Sequence, residues 1–138
     1  MANVTPTAEN PFGYGELVWR LFRETPHAGE FAPGTPGLVT GEAGSRAARA
    51  LLRLELCFGD DGVVAAARFR AYGCPTSIAV GAWIADWSVG KNLLQLSGLR
   101  AADLRQALEI PYDRSHCTLM GEDALRAALD RYTGESKP

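Results

Sequence analysis

Three residues of this chain pair metal- or sulfur-handling side chains with a place at the start of a helix: Cys74, His116 and Cys117. Cys74 stands where a strand-like alternation ends and Pro75, a residue suited to the first helical position, begins a helical pattern. His116 and Cys117 follow Pro111 and open the last helical pattern of the chain. A helix start offers unpaired backbone N–H groups and the positive end of the peptide dipoles, and both favour thiolate over thiol. Thiolate is the form that binds soft metals or attacks sulfur, and neutral imidazole beside it suits zinc or iron. Three residues are nevertheless not a spacing motif. On residue types and spacing alone, packing residues stand ahead of a metal or thiol site.

The remaining candidates have blander readings. Cys57 falls on the polar face of its strand by parity, away from the leucines, and is incidental. Glu42 and Asp113 are loop carboxylates, either of which could supply an oxygen ligand to complete a zinc site. His27 follows Pro26 in an irregular segment and reads as a solvated loop residue. Trp83 and Trp87, one helical turn apart, read as core packing for at least one of them, with a partner surface as the minority alternative. Arg46, Arg49 and Arg53 are too few to argue for nucleic acid.

The elements that must position these residues follow from periodicity. Gly15 to Glu24 carries Leu17, Val18, Leu21 and Phe22 at helical spacing. Leu52, Leu54, Leu56 and Phe58 alternate with polar residues as a half-buried strand. Gly59-Asp60-Asp61-Gly62 is a hairpin turn, and Val63 to Tyr72 returns as the second strand. By parity, Val63, Ala65, Ala67, Phe69 and Ala71 share one face of it, and Val64, Ala66, Arg68 and Arg70 the other. Pro36 to Thr40 is expected as a third, edge strand. From Pro75 the pattern is helical and apolar nearly all round, so that helix is central and ends at Gly90. Short helices are expected at Lys91 to Leu96 and Ala101 to Leu108. A last helix is expected from about His116 to Tyr132, with Leu119, Leu125, Leu129 and Tyr132 facing inward. The class is α+β: a small antiparallel three-stranded sheet, then helices packed on one face.

The chain of 138 residues fits a single domain, 1–138, with 134–138 expected as a flexible tail. A net charge of -2 makes no electrostatic case for nucleic acid or an anionic membrane. The longest apolar stretch, Ile78 to Trp87, is too short to span a bilayer and contains Asp86. Met1 to Asn10 lacks the basic start and apolar run of a secretory signal, so a cytoplasmic location is expected. With three cysteines and a reducing compartment, no disulfide framework is expected.

Several local strings, in order and without gaps, go further. Ala67-Arg68-Phe69-Arg70-Ala71-Tyr72-Gly73-Cys74 resembles the A-R-F-x-x-Y-G-C segment of the IscU/NifU iron–sulfur scaffold family. Trp87 to Lys91 is similar to its W-x-x-G-K, Ile110-Pro111 with His116-Cys117 to its L-P and H-C, and Glu122-Asp123-Ala124 to its E-D-A. Thr25 to Phe31 is a looser echo of its N-P-R-N-x-G segment. The resemblance runs from about Leu51 to Leu129 and implies the family's α+β fold and a role in iron–sulfur cluster assembly. It implies that Cys74, His116 and Cys117 are metal ligands for zinc or iron, with a cysteine desulfurase or other assembly proteins as partners. It also implies a scaffold that is not an enzyme.

The departures are as informative. Where the family places Cys-Gly-Asp before the hairpin, this chain has Ala48-Arg49-Ala50, so two usual ligand positions carry methyl groups. No other cysteine precedes Cys57. The family's chaperone-recognition string L-P-P-V-K is replaced by Ile110-Pro111-Tyr112-Asp113-Arg114. Two thiolates and one imidazole fall short of the four ligand positions of a [2Fe–2S] cluster, so weak or absent cluster binding is expected. Zinc accepts such a set with water in fourth place. Two further readings stay open: a sulfur acceptor carrying persulfide, better on Cys117, and a metal-free interaction module.

Overall fold

The computed structural model describes residues 13–45, 47 and 49–136. Helix α1 (Glu16–Glu24) is followed by strands β1 (Leu38–Ser45), β2 (Ala50–Phe58) and β3 (Val64–Tyr72). Helices α2 (Pro75–Ser88), α3 (Leu93–Ser97), α4 (Ala101–Ala107) and α5 (Ser115–Ser136) follow, the last after a 3-10 turn at Tyr112–Arg114. The sheet is antiparallel in the order β1-β2-β3. The expected α+β architecture is therefore the observed one.

Strand β2 is central, hydrogen-bonded to β1 along one edge and to β3 along the other. Leu52, Leu54 and Leu56 are fully buried under α2 and α5. The turn to β3 closes with Gly59 N–H donating to the Val63 carbonyl at 2.9 Å, and Gly62 takes φ +78°, where a side chain would be strained. Simple parity fails in β3. Phe58 pairs with Val64 but Cys57 with Ala66, so Ala65 is an extra, bulged residue. That insertion lets Val64 bury on the same strand as Ala67 and Phe69, which parity had put on opposite faces.

The second face of the sheet is less open than its polar residues suggest. The irregular stretch after α1 pairs with the free edge of β3 and then brings Phe31 onto this face. Gly29 N–H donates to the Phe69 carbonyl at 2.9 Å, Phe69 N–H to the His27 carbonyl at 3.0 Å, and Arg68 lies 5.0 Å from the Phe31 ring centre. Glu55 is consequently 2% exposed, and it accepts hydrogen bonds from Phe31 N–H at 2.8 Å and Arg53 Nε at 2.9 Å. Cys57, on this face, is buried as well, and burial pushes its thiol up, which keeps it inert. His27 is not simply solvated: its Nε2 lies 3.0 Å from Asp86 Oδ1 and ties this stretch to α2.

Helix α2 is buried nearly all round, as its composition requires, and Trp83 and Trp87 stack at 5.9 Å on its partly exposed side. Helix α3 starts with a reciprocal capping box between Asn92 and Gln95. Helix α5 begins one residue before the expected start and runs to Ser136, so 134–136 continue the helix; 137–138 lie outside the described residues. Its inward stripe is Cys117, Met120, Ala124, Leu125, Ala128 and Leu129. Leu119 is 55% exposed and does not face inward; the stripe is set by small residues that let the helix lie close on β1. Leu119→Gln should change unfolding free energy by no more than about 0.5 kcal/mol, whereas Met120→Ala should cost about 2 kcal/mol. Urea denaturation of both variants checks the assignment, and equal losses would contradict it.

Candidate functional site

The chain leaves β3 through Gly73, whose φ of +148° is one that L side chains rarely adopt. A Cβ there would also sit 3.2 Å from Ser77 Oγ and 3.5 Å from the Arg49 carbonyl oxygen. The tight exit swings Cys74 to the N-cap of α2, with Pro75 behind it. Cys117 reaches the same place from the first turn of α5. The two sulfurs are 3.8 Å apart. Ser77 Oγ lies 3.6 Å from Cys74 Sγ and 3.3 Å from Cys117 Sγ, so one hydroxyl touches both.

The pair is asymmetric. Cys74 is partly exposed and Cys117 is fully buried. The Cys117 thiol hydrogen-bonds Cys74 and, helped by the Ser77 hydroxyl and the amides of Ser77 and Thr76, pulls the Cys74 thiol from its ordinary 9.0 down to about 4. Those amides help without closing a full capping hydrogen bond. Sharing with Cys74, and burial, push Cys117 upward. The two shifts are one event: a single proton held between two sulfurs, resting on the buried one. The charge sits on Cys74 because Cys117 is the more deeply buried of the two, while the Ser77 and Thr76 amides favour thiolate at Cys74. Arg114 adds positive potential: its charge favours thiolate at Cys117, and the Cys74 charge in turn favours the guanidinium. Arg114 is held by a 2.8 Å hydrogen bond to Tyr14 Oη and lies 4.5 Å from that ring's centre.

The structure thus brings Cys74 and Cys117 together and leaves the His116 side chain exposed on the neighbouring position of α5. Among the described residues no group of three or more His, Cys, Asp or Glu side chains is arranged to hold a metal ion. Glu42 is occupied by Arg53 at 3.2 Å, and Asp113 is exposed in the 3-10 turn. Ala48 lies outside the described residues, while Ala50 opens β2 at this end of the sheet, partly buried against the core. Sequence reading missed Ser77, Arg114 and Tyr14. Ser77 was findable, three residues after an N-cap cysteine; the Tyr14–Arg114 contact spans 100 positions and left no local trace.

The model of the NifU-like N-terminal domain family matches residues 13–138. The chain belongs to that family. This NifU-like domain is 29% identical over 119 residues to the iron–sulfur cluster assembly scaffold protein IscU of Escherichia coli K12, covering 86% of this chain and 93% of that protein. It is 26% identical over 137 residues to the mitochondrial iron sulfur cluster assembly protein 1 of Yarrowia lipolytica, covering 99% of this chain and 76% of that one. The crystal structure of an N-terminal NifU-like protein from Brucella abortus has the same fold, with a TM-score of 0.67, 20% identity, and coverage of 88% and 94%. No helix among the described residues of the NifU-like domain is long and apolar enough to cross a membrane.

Proposed function

We propose that this NifU-like domain serves iron–sulfur cluster assembly as a scaffold-like carrier that holds zinc or iron at the Cys74–Cys117 pair, with His116 as third ligand. The observation that carries the reading is the 3.8 Å separation of the two sulfurs. Two thiolates bound tetrahedrally at about 2.3 Å have an edge of roughly 3.8 Å, so the pair matches two corners of such a site as it stands. Soft donors also select these metals over magnesium or calcium. His116 is next to Cys117 in the first turn of α5, and its side chain is exposed. Water or a partner's side chain takes the fourth place. The role is that of a carrier of cargo, not an enzyme, and the partner that fits is a cysteine desulfurase or another protein of the assembly machinery.

Two thiolates and an imidazole leave a [2Fe–2S] cluster one ligand short, so zinc or mononuclear iron is the better cargo. The test is anaerobic titration with zinc against a chelator, and with cobalt(II) read by its thiolate charge-transfer band. One metal per chain is expected, with affinity lost at least about tenfold in Cys74→Ala and Cys117→Ala and less in His116→Ala. Undiminished binding in Cys74→Ala would sink the site. One observation favours a second reading, a sulfur acceptor: of the paired sulfurs, Cys74 alone reaches solvent, where a donor persulfide could meet it. In this reading the acceptor is Cys74, whereas the adjacency of His116 favoured Cys117.

A further inference from the structure

We propose that the Cys74–Cys117 pair releases sulfide: Cys74 takes a sulfane sulfur and Cys117 expels it, leaving a Cys74–Cys117 disulfide. The proposal rests on the sulfur-acceptor reading and adds a reducing step to it. Its ground is geometric. One sulfur is partly exposed and the other fully buried, and they stand 3.8 Å apart with nothing between them but the shared Ser77 hydroxyl at their side. A sulfur carrier that only held its cargo on Cys74 would have no need of a second sulfur hidden behind the first. A resolving thiol needs that place, because it must reach the inner sulfur of a persulfide while the outer one points to solvent.

The steps balance. A donor persulfide, R–S–SH, meets the Cys74 thiolate. The donor S–S bond breaks, the sulfane sulfur moves to Cys74 as Cys74–S–SH, and R–S⁻ leaves with a proton from solvent. Cys117 then attacks Cys74 Sγ. The new bond joins the two Sγ atoms, the outer S–S bond breaks, and hydrosulfide departs toward the open side. The Cys117 proton goes to the departing sulfur, and Ser77 Oγ, 3.3 Å from Cys117 Sγ, is placed to pass it. In sum, R–SSH and two protein thiols give R–SH, hydrogen sulfide and one disulfide. The two electrons that reduce the sulfane sulfur come from Cys74 and Cys117. A dithiol reductant reopens the pair by exchange, itself becoming a disulfide.

The test uses the full chain, made metal-free and reduced, with a small persulfide such as glutathione persulfide, in the absence of free thiol. Sulfide is measured together with the mass and disulfide map of the protein. Wild type should release about one sulfide per chain and lose two hydrogens, the mapped bond joining Cys74 to Cys117. Cys117→Ser and Cys117→Ala should keep a stable persulfide on Cys74 and release at least about tenfold less sulfide. Two variants are used because Cys117 is buried, and circular dichroism confirms that each is folded. A wild-type protein that holds a stable persulfide, releasing no sulfide and forming no disulfide, overturns the inference and leaves the acceptor reading standing. A folded Cys117 variant and a wild-type protein that both take up no persulfide overturn both.

Discussion

Alkylation of Cys74 by iodoacetamide should be nearly independent of pH from about 5 to 8, where an ordinary thiol speeds up about tenfold per unit. The cause is the proton arrangement at the pair. The Cys117 hydrogen bond, Ser77 and the α2 amides hold Cys74 as thiolate down to about pH 4. The sign is that of a depressed pKa: thiolate persists above about 4, and reactivity falls only as the pH drops through that value. At about pH 6 a thiol at the ordinary 9.0 is only about a thousandth ionised. The rate itself will not differ a thousandfold, because a thiolate of low basicity is a weaker nucleophile, by roughly two powers of ten for a shift this large. The shape of the pH profile is therefore the deciding quantity. Cys117→Ala removes the largest stabiliser, so its profile should slope again between about pH 5 and 8; Ser77→Ala should move it less. A wild-type profile that rises tenfold per unit across this range would show that the charge does not rest on Cys74. Cys57 and Cys117 should remain unlabelled in the folded protein, both being buried.

Gly41→Val should destabilise the domain by about 3 kcal/mol or more and slacken the cysteine pair with it. Gly41 lies in β1 beneath α5, and a Cβ there would overlap the Ala124 carbonyl oxygen and the Ala128 backbone. Backbone cannot swing aside as a side-chain tip can, so relief requires the whole helix to lift from the sheet. That helix carries Cys117 in its first turn, whereas Cys74 is anchored by β3 and α2. Lifting α5 thus works directly on the 3.8 Å separation. Gly134→Ala, on the same helix but with open space where its Cβ would go, should instead stabilise by roughly 0.5–1 kcal/mol. Thermal unfolding of both, with the Cys74 alkylation profile of each, is the check. A Gly41→Val protein with wild-type stability would mean that α5 does not rest on β1 as described.

Much of the framework was legible because it depends on local chemistry. The leucine alternation of β2 and the all-round apolar pattern of α2 are written in consecutive residues, and so were read within a residue or two. The positions of Cys74 and Cys117 at helix starts were likewise readable from Pro75 and from the break at Pro111. What parity and periodicity could not supply was any effect of a distant partner. Ala65 is bulged only because of how Val64 and Ala66 meet the neighbouring strand. Leu119 faces out and Met120 in because α5 seats on Gly41 and Gly44, some eighty residues away, and the helix's own pattern did not show which stripe would be chosen.

The site divides along the same line. The sequence by itself determined which cysteines exist and that Cys74 and Cys117 sit at helix starts. Only the tertiary structure decided that Cys74 meets the solvent while Cys117 is sealed behind it, that Ser77 bridges them, and that Arg114, pinned by Tyr14, lends the pair its positive field. The reason is physical. A helix start can bias any cysteine toward thiolate, but which of two thiols gives up the shared proton is set by their relative burial and by charges brought near by the fold, and neither is a property of the segment that carries the cysteine.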